Sequence, residues 1–409
     1  MDYKQTVIII GAGFLAANAL LLGMGTLFFM AAVVAGIPLL GYLCCRLLAG
    51  GLSCERTVND RVFPGELIGV TLSLRNQGRL PRLGVTVEDE LPPGLEAEQP
   101  PRFYFPVLWP GRQLQVSYQA VARRRGAYRF DALTAAVSDP PGLTEREVPV
   151  PAPGEAIVYP LPLPMTSWVL GGTLSYADAG REHMAAGQGG DFYSIREYAP
   201  GDELRRIHWR STARLGRLAV IEFERIQAAD LLVVLDLLAG SEVGEGEHTT
   251  LETAVVVAAS LLDYALRARA AAVLVCQDAA GPHQVTMRSE ADYFQALEVL
   301  ARARADGSRS LSEVLSALDP ALLARYSPVL ITAVPDPELP GQLHQCVRAS
   351  LSCMALLVDP AAHHAEGASH QLFATFAHEL AAAGALVQVL TSPEDLPRAA
   401  SSLPVGWQR

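Results

Sequence analysis

The hydrophobic pattern divides the chain into an apolar N-terminal stretch, a region of short alternating runs, and a region where apolar runs alternate with helical spacing. No charged residue occurs between Lys4 and Arg46, whereas one membrane crossing needs about 20 apolar residues. Glycines at 23 and 25 interrupt this stretch, and glycine permits a tight turn. The pattern therefore predicts a transmembrane helical hairpin within residues 1–50, with helices over 6–22 and 26–47.

Two other interpretations, a signal peptide and a dinucleotide-binding turn, fit the apolar N-terminus less well. A cleavable signal peptide would suit the short first helix, but no polar region with a small-residue cleavage site precedes the second apolar run. Glycines at 11 and 13 imitate a dinucleotide-binding turn, which requires an acidic residue about 20 positions further on. None occurs between this turn and Glu55. Close packing of membrane helices explains these small residues better.

The charges that flank the hairpin predict its orientation. Lys4 precedes the first helix, Arg46 and Arg56 follow the second, and the turn between the helices is uncharged. Because positive charge is retained on the cytoplasmic side, we expect a multi-pass protein of the inner (cytoplasmic) membrane with its soluble domains in the cytoplasm. The cysteines lack Cys-x-x-Cys spacing, which suits a reducing compartment.

Residues 54–160 have the pattern of an immunoglobulin-like β-sandwich. Short alternating runs at 67–74, 84–89, 114–120, 128–130 and 133–137 are separated by turn signals rich in proline and glycine. The proline-rich stretch 149–164 is predicted to be a connector that closes this domain. The basic run at 123–126 suits a lipid-headgroup patch or an exposed strand end entering a turn, and the second interpretation is favoured.

Residues 229–400 alternate strands with helices. The predicted strands cover 231–235, 272–276, 329–332, 354–358 and 386–390, and the predicted helices cover 249–269, 291–303, 311–318, 339–349 and 371–383. This alternation predicts a doubly wound α/β domain with a parallel sheet. Because ligands of such folds bind at the carboxyl ends of the strands, we expect Asp236, Asp336 and Asp359 to lie at that edge.

The segment 165–228, between these domains, contains the densest cluster of charged residues. Between 189 and 225, seven arginines are offset by six carboxylates, in a chain of net charge −11. A nucleic-acid groove needs an excess of positive charge, so this balance argues against nucleic acid. It favours internal ion pairing or a protein partner.

The candidate site residues of this segment combine arginines with aromatic, acidic and turn-forming residues: Arg196, Tyr198, Gly201, Asp202, Arg206, His208, Trp209, Arg210 and Arg214. The pattern Arg-Glu-Tyr-x-Pro-Gly-Asp-x-x-Arg-x-Ile-x-Trp-x-x-x-Ala-Arg over 196–214 resembles the signature of the bacterial domain of unknown function 58 family. The resemblance implies membrane helices, a β-rich domain and a von Willebrand factor type A-like C-terminal domain. It also implies a MoxR-type AAA+ ATPase as partner. Membrane lipid and other membrane or type A-domain proteins are further expected partners.

The resemblance also bears on metal binding. A metal-binding type A domain carries Asp-x-Ser-x-Ser after its first strand, and these oxygen ligands suit Mg²⁺. In this chain Leu238 and Gly240 occupy both serine positions, Ser241 is displaced by one residue, and only Asp236 is retained. We therefore expect no cofactor and expect Asp236 to accept hydrogen bonds from loop amides; a residual Mg²⁺ site is the alternative.

Three uses of the charged segment are open. It could form an ion-paired clamp between the sandwich and the α/β domain, a docking face with arginine and tryptophan anchors, or a pocket for phosphate or another anion. Asp202, Arg205, Arg206, Arg210 and Arg214 fall at spacings near one helical turn. We expect Trp209 and Arg210 to belong to the clamp and the exposed side chains to form the docking face.

No catalytic motif accompanies the segment. His208 lies near Ser211, but the Gly-x-Ser-x-Gly elbow of serine hydrolases is absent from the sequence, as are His-Glu-x-x-His and phosphate-loop motifs. The sequence therefore predicts a membrane-anchored, cytoplasm-facing, non-catalytic adaptor or assembly factor, and the resemblance implies that it works with a MoxR-type AAA+ ATPase. The alternative is an enzyme or anionic-ligand binder that uses the arginine cluster with His208 and Asp202.

Overall fold

The computed structural model describes the chain outside a few short gaps. The gaps are residues 1–2, 60, 166–185, 199–206, 225–229, 247, 350–352, 364–369 and 397–409, and the side chains of 186–196, 215, 221–224, 345, 348–349 and 370–371. The chain divides into two compact units, residues 1–160 and 161–409.

Two apolar helices begin the first unit. Helix α1 spans Tyr3–Leu22 and helix α2 spans Gly25–Leu48, within three residues of the predicted bounds. Gly23 joins them with a φ of 60°, a left-handed conformation that glycine adopts without a steric penalty. Each helix is long and apolar enough to cross a membrane, by length and composition, and only 11% of each apolar window is buried within the protein.

Two facing sheets form the rest of this unit. One sheet has the order β1-β3-β7-β5, with β1 (Leu52–Val58), β3 (Leu67–Asn76), β5 (Leu95–Glu96) and β7 (Gln113–Ala122). The other has the order β2-β9-β8-β4-β6, with β2 (Arg61–Val62), β4 (Arg82–Asp89), β6 (Arg102–Leu108), β8 (Gly126–Ser138) and β9 (Glu145–Val158). Every second residue of β3 is buried, as the alternating pattern predicts for a strand with one face in a core.

The prediction of a proline-rich connector over 149–164 is wrong, because residues up to Val158 belong to β9. This strand pairs antiparallel with β8 along most of its length and with β2 only at Ile157 and Val158. Prolines occupy alternate positions 149, 151 and 153. Alternate residues direct their N–H groups to the same edge of a strand, so the prolines leave the pairing with β8 to the residues between them.

A buried ion pair lies in the sandwich core. Arg56 pairs with Asp89, and neither side chain is exposed. The hydroxyl of Tyr118 donates to Asp89 Oδ2 over 2.6 Å, and the Arg56 guanidinium lies 4.6 Å from the centre of the Phe130 ring. Burial raises the pKa of Asp89, while Tyr118 and Arg56 oppose that rise. The sequence analysis missed this network because an isolated arginine in an alternating strand carries no signal of its partner.

The connection from the hairpin to the sandwich is only residues 49–51. The backbone N–H of Gln77 donates to the Gly51 carbonyl over 2.8 Å, and the Arg82 guanidinium donates to the Gly50 carbonyl. On the helix side, Lys4 Nζ donates to the Gly142 carbonyl over 3.1 Å. These bonds attach one end of the sandwich to the end of the helical hairpin at which α1 begins and α2 ends.

The second unit begins with an antiparallel pair that encloses a short helix. The pair is β10 (Ala186–Glu197) and β11 (Ala219–Glu224), and the helix between them is α3 (Trp209–Leu215). This stretch lies within the charged segment 165–228, which is predicted to carry the function.

The remainder of the second unit is an α/β sheet of order β16-β15-β12-β17-β18-β19. Its strands are β12 (Leu231–Leu235), β15 (Ala272–Asp278), β16 (Gly281–Met287), β17 (Ser327–Thr332), β18 (Met354–Val358) and β19 (Leu386–Leu390). A small hairpin, β13 (Gly244–Glu245) with β14 (His248–Thr249), precedes the first helix. The helices are α4 (Thr250–Ala268), α5 (Glu290–Arg302), α6 (Leu311–Ser316), α7 (Pro320–Arg325), α8 (Leu339–Ala349) and α9 (His370–Ala382).

All five predicted strands are present and parallel, as the continuous apolar runs indicate for strands buried on both faces. The sequence analysis missed β16, an antiparallel edge strand that contains Pro282, and it missed α7. Chain order reverses between β12 and β17, so the carboxyl ends of these strands flank the position where such sheets bind ligands.

Candidate functional site

Helix α3 is one short helix fixed by bonds at both of its ends. At its start, the backbone N–H of Ser211 donates to His208 Nδ1 over 3.3 Å, and Ser211 Oγ lies 2.7 Å from the same nitrogen. At its end, Gly216 adopts a φ of 68° and its N–H donates to the Thr212 carbonyl. These are the capping bonds that helix termini otherwise lack.

Bonds to the flanking strands hold helix α3 against the β-hairpin formed by β10 and β11. Thr212 Oγ1 accepts from the Ala219 N–H over 3.0 Å, the His208 N–H donates to the Ala219 carbonyl over 2.8 Å, and the Tyr198 N–H donates to the Leu218 carbonyl over 2.9 Å. A seven-residue helix is too short to be stable by itself in water. The orientation of α3 therefore depends on these attachments.

The outward side of α3 is an aromatic and basic surface. Trp209 is 68% exposed, and Arg210, Ala213 and Arg214 are exposed beside it. These positions adjoin on a helix because residues four apart lie above one another. We call Trp209, Arg210, Ala213 and Arg214 the α3 face. The hydrogen bonds described above that fix the helix do not use these four side chains.

One exposed ion pair lies beside the attachment of α3. Arg217 Nη1 is 3.0 Å from Glu197 Oε2, with both side chains about 60% exposed. An exposed pair of this kind contributes little to stability. The charge of Arg217 is thus balanced locally, and the basic character of the surface rests on Arg210 and Arg214.

Trp209 and Arg210 are exposed within the second unit. They meet the condition set above for the docking face. Their expected place in an ion-paired clamp, whose partners would have to be desolvated to contribute much to stability, stays a prediction.

The helical spacing from Asp202 to Arg214 does not correspond to one continuous helix. Ile207 forms an isolated antiparallel bridge with Val220, so the backbone there is extended and the helix begins only at Trp209. Of the five residues at that spacing, the structure brings Arg210 and Arg214 together on α3.

The remaining predicted residues divide between the strand and the gap that follows it. Arg196 is in β10, opposite Val220, and its side chain lies outside the described residues, as do Gly201, Asp202 and Arg206. Tyr198 is half-buried beside the exposed Leu218. The sequence analysis missed Thr212 as an attachment point and Ala213 as part of the surface, although Gly216 after an Arg210 to Arg214 spacing is a helix-end signal.

The contact between His208 and Ser211 has a structural explanation. The ring nitrogen that meets Ser211 Oγ also accepts the Ser211 N–H, which is the role of a residue that caps a helix start. The arrangement is therefore that of a capped helix.

The other candidate position is the carboxyl end of β12. Asp236 is buried, its Oδ1 accepts from the Leu238 N–H over 3.0 Å, and its Oδ2 accepts from Thr332 Oγ1 over 2.7 Å. Burial raises the pKa of this carboxyl, the Thr332 and Leu238 bonds oppose the rise, and the charge of Asp336 adds to it. Both oxygens of Asp236 are thus occupied by protein donors.

Asp336 is bonded to its own loop and to the start of α6. The Ser312 N–H donates to Asp336 Oδ2 and the Glu338 N–H donates to Asp336 Oδ1, each over 3.0 Å. Burial alone would raise the pKa of Asp336, but bonds from Ser312, Glu338 and Ser310 bring it below its usual range. Asp359 lies at the third strand end and accepts from the Ala361 N–H over 2.9 Å.

These residues do not fit a resident Mg²⁺ ion. Leu238 and Gly240 offer no side-chain oxygen, and the loop that holds them is bonded to Gly307 through the Ala239 N–H and the Leu237 carbonyl, each over 2.8 Å. Within the described ranges, no group of three His, Cys, Asp or Glu side chains is placed to hold a metal. The carboxylates of Asp236, Asp336 and Asp359 instead accept hydrogen bonds from loop backbone N–H groups at this edge of the sheet.

A family comparison covers α3, its hairpin and the first part of the α/β sheet. Residues 194–321 match the family described as "Protein of unknown function DUF58". This segment belongs to the DUF58 family. The resemblance found at 196–214 is thereby confirmed, and the α3 face lies within the DUF58 segment. The family description assigns no activity.

One curated relative is an uncharacterized protein of Bacillus subtilis, YeaD, which is 26% identical over 181 residues. The match covers 43% of this chain and 45% of the relative, so the chain spans less than half the length of that relative.

Two solved structures each resemble about a quarter of the chain. The CARDB domain of the PF1109 protein from Pyrococcus furiosus is 18% identical, with a TM-score of 0.21, over 26% of this chain and 91% of that domain. A cohesin module from Clostridium perfringens is 14% identical, with a TM-score of 0.18, over 26% of this chain and 96% of the module. Similarity this low carries no functional inference.

The occupied carboxylate of Asp236 leads to a prediction about metal. We expect that millimolar Mg²⁺ or Mn²⁺ leaves the melting temperature of the purified full-length chain unchanged, because a ligand specific for the folded state would raise it. Asp236→Asn serves as the control, since it removes the charge at similar volume. A saturable rise that Asp236→Asn abolishes would contradict the assignment.

Proposed function

We propose that the chain is a membrane-anchored, non-catalytic adaptor or assembly factor whose α3 face binds a partner protein. The observation that carries this proposal is an exposed tryptophan flanked by two exposed arginines, on a helix held from behind by backbone and side-chain bonds. Tryptophan and arginine are the side chains most enriched among the residues that dominate binding energy at protein interfaces.

Rigidity supports the docking role. A helix that is already capped and attached has less conformational entropy to lose on binding, which improves affinity. Trp209, with 68% of its surface exposed, is available to enter a pocket of a partner. Arg210 and Arg214 would pair with acidic groups around that pocket, and such pairs contribute orientation and association rate.

The resemblance to the domain of unknown function 58 family suggests the class of partner. A MoxR-type AAA+ ATPase is the proposed partner, and the chain would link this ATPase to the membrane. Other membrane proteins with type A domains are a further class that this face could bind.

The C-terminal α/β sheet supports a von Willebrand factor type A-like assignment in its coarse features. Numbered by order along the chain, its strands run 3-2-1-4-5-6, with the third antiparallel at the edge. In this proposal the sheet serves as a scaffold for protein contacts, because its first-strand Asp236 is engaged by Leu238 and Thr332.

Membrane anchoring is proposed from the hairpin. Its two apolar helices have the length and composition of membrane spans, and the charged residues Lys4 and Arg46 flank the apolar span. The positive-inside rule then assigns both soluble units to the cytoplasm, where an ATPase would have access to them.

The second candidate function is an enzyme or an anionic-ligand binder. The observation that favours it is the 2.7 Å contact between His208 Nδ1 and Ser211 Oγ, next to Arg210 and Arg214. Turnover of phosphate or ester panels by the purified full-length chain, lost in both His208→Ala and Ser211→Ala, would support this function over the adaptor.

The docking proposal predicts that substitutions in the α3 face weaken binding of the partner and leave the stability of the chain unchanged. Trp209→Ala and Arg210→Glu should reduce the amount of AAA+ ATPase that co-purifies from native membranes at least about tenfold, because a dominant interface residue contributes about 2 kcal/mol or more. Both variants should keep the parental melting temperature, since exposed substitutions change stability by about 0.5 kcal/mol or less. Quantitative mass spectrometry and thermal unfolding measure the two effects.

Matched controls come from exposed residues away from the α3 face. Arg309→Glu reverses a charge in the same unit, and Tyr104→Ala removes an aromatic side chain that is 66% exposed. Both should retain the partner. If Trp209→Ala and Arg210→Glu also retain it, the α3 face is not the docking site; if both lower the melting temperature, the clamp is the better account.

The topology proposal predicts where reporter proteins should be active. Fusions after Cys54 and after Arg409 should both report the cytoplasm, because the uncharged span from 5 to 45 crosses twice and leaves both flanks inside. Paired cytoplasmic and periplasmic reporters measure this directly. A periplasmic signal at either position would reject the orientation and restore the signal-peptide interpretation of the first helix.

A further inference from the structure

We propose that one end of the β-sandwich binds an anionic phospholipid surface beside the hairpin. This end, which we call the proximal end, consists of the loops 76–82 and 109–112. The inference rests on the proposed membrane anchoring of α1 and α2, and it adds a second, peripheral contact between the protein and the bilayer.

Strand register places both loops at the end where the chain leaves α2. Leu52, the first residue of β1, lies opposite Asn76, and Arg75 lies opposite Gln113. The loop 76–82 also contacts the connection directly, through the Gln77 N–H to Gly51 bond and the Arg82 to Gly50 bond. If α2 is in the bilayer, these loops are within a few residues of its surface.

Asn76 joins the two loops into one surface. This buried side chain donates through Nδ2 to the carbonyls of Leu80 and Leu108, each over 2.9 Å. Its backbone carbonyl accepts from the Gly111 N–H over 2.8 Å. Leu80 and Trp109 are therefore held close together, at 52% and 60% exposure respectively.

The chemistry of this surface fits lipid headgroups. Arg79 and Arg112 are exposed beside Leu80 and Trp109, and no Asp or Glu occurs within the loops 76–82 and 109–112. Arg75 is also exposed, but it lines a small surface pocket together with Glu55. Tryptophan is enriched at the membrane interface, and each basic residue near an anionic leaflet contributes about 1 kcal/mol of attraction. Asp139 lies in the loop 139–144, which contacts Lys4 through the Gly142 carbonyl. Its side chain is buried and accepts the Leu143 and Thr144 N–H groups through Oδ1.

The basic run at 123–126, considered for lipid binding from the sequence, lies at the opposite end of the sandwich. Ala122 is opposite Leu95, and Val121 is opposite Leu67 at the start of β3. Arg123 also pairs with Glu96 over 3.0 Å. The register therefore favours the exposed-strand-end interpretation for that run and assigns the lipid contact to the proximal end.

Tryptophan quenching in the full-length chain tests this inference. Trp168, Trp209 and Trp407 are replaced by Phe, and the protein is reconstituted into nanodiscs of phosphatidylglycerol and phosphatidylcholine with brominated acyl chains. We expect Trp109 emission to be quenched about twofold relative to unbrominated discs, as for a side chain at the interface. Arg79→Gln with Arg112→Gln should weaken the quenching.

The distal end provides the matched control. Arg124→Trp, in a chain with Trp109→Phe as well, should give emission that brominated lipid does not quench. Equal quenching at 109 and 124, or none at 109 in a chain that resists carbonate extraction, would overturn the inference and leave the anchoring intact. If carbonate extracts the chain from the membrane, both the anchoring and the inference are overturned.

Discussion

The three-residue connection between α2 and β1 is the constraint on which the first unit depends. A helix that ends at Leu48 and a strand that begins at Leu52 leave no slack for the sandwich to move away from the hairpin. The bonds to the Gly50 and Gly51 carbonyls close this junction further. Consequently the strand register alone decides which loops face the hairpin end, and the basic run at 123–126 is excluded from it.

A comparable constraint acts on α3 in the second unit. The helix is too short to persist without support, and its support comes from His208 and Thr212 on the inward side. This division leaves Trp209, Arg210 and Arg214 without a structural task in the bonds of the described residues. A tryptophan beside two arginines on a supported helix has the composition of residues that dominate binding at protein interfaces, and this combination is the reason for proposing a partner surface here.

The sequence predicted the parts of the fold that depend on local periodicity. The continuous apolar runs of 231–235 and 354–358 identified buried parallel strands, and the uncharged N-terminal stretch identified two apolar helices. It failed at β9, where alternate prolines mimic a linker, and at β16, an edge strand with a proline. Both strands are held by antiparallel pairing with the preceding strand, and hydrophobic periodicity does not report this pairing.

The candidate site was predictable in composition but not in exposure. Three residues of the signature at 196–214, Trp209, Arg210 and Arg214, lie on one helix. Charge density alone did not distinguish a clamp from a docking face, because a dense mixture of signs can pair internally as readily as it can bind a partner. Bonds at His208 and Thr212 hold the inward side of α3 and leave Trp209, Arg210 and Arg214 exposed within the second unit, a tertiary effect that residue spacing does not contain.

Site-specific photo-crosslinking from position 209 of the full-length chain in native membranes tests the docking account most directly. A photoreactive phenylalanine analogue replaces Trp209, and mass spectrometry identifies the adduct. The account predicts a crosslink to a separate protein of the AAA+ ATPase class that Arg210→Glu abolishes. A crosslink formed only with residues 1–160 of the same chain would contradict it and establish the clamp.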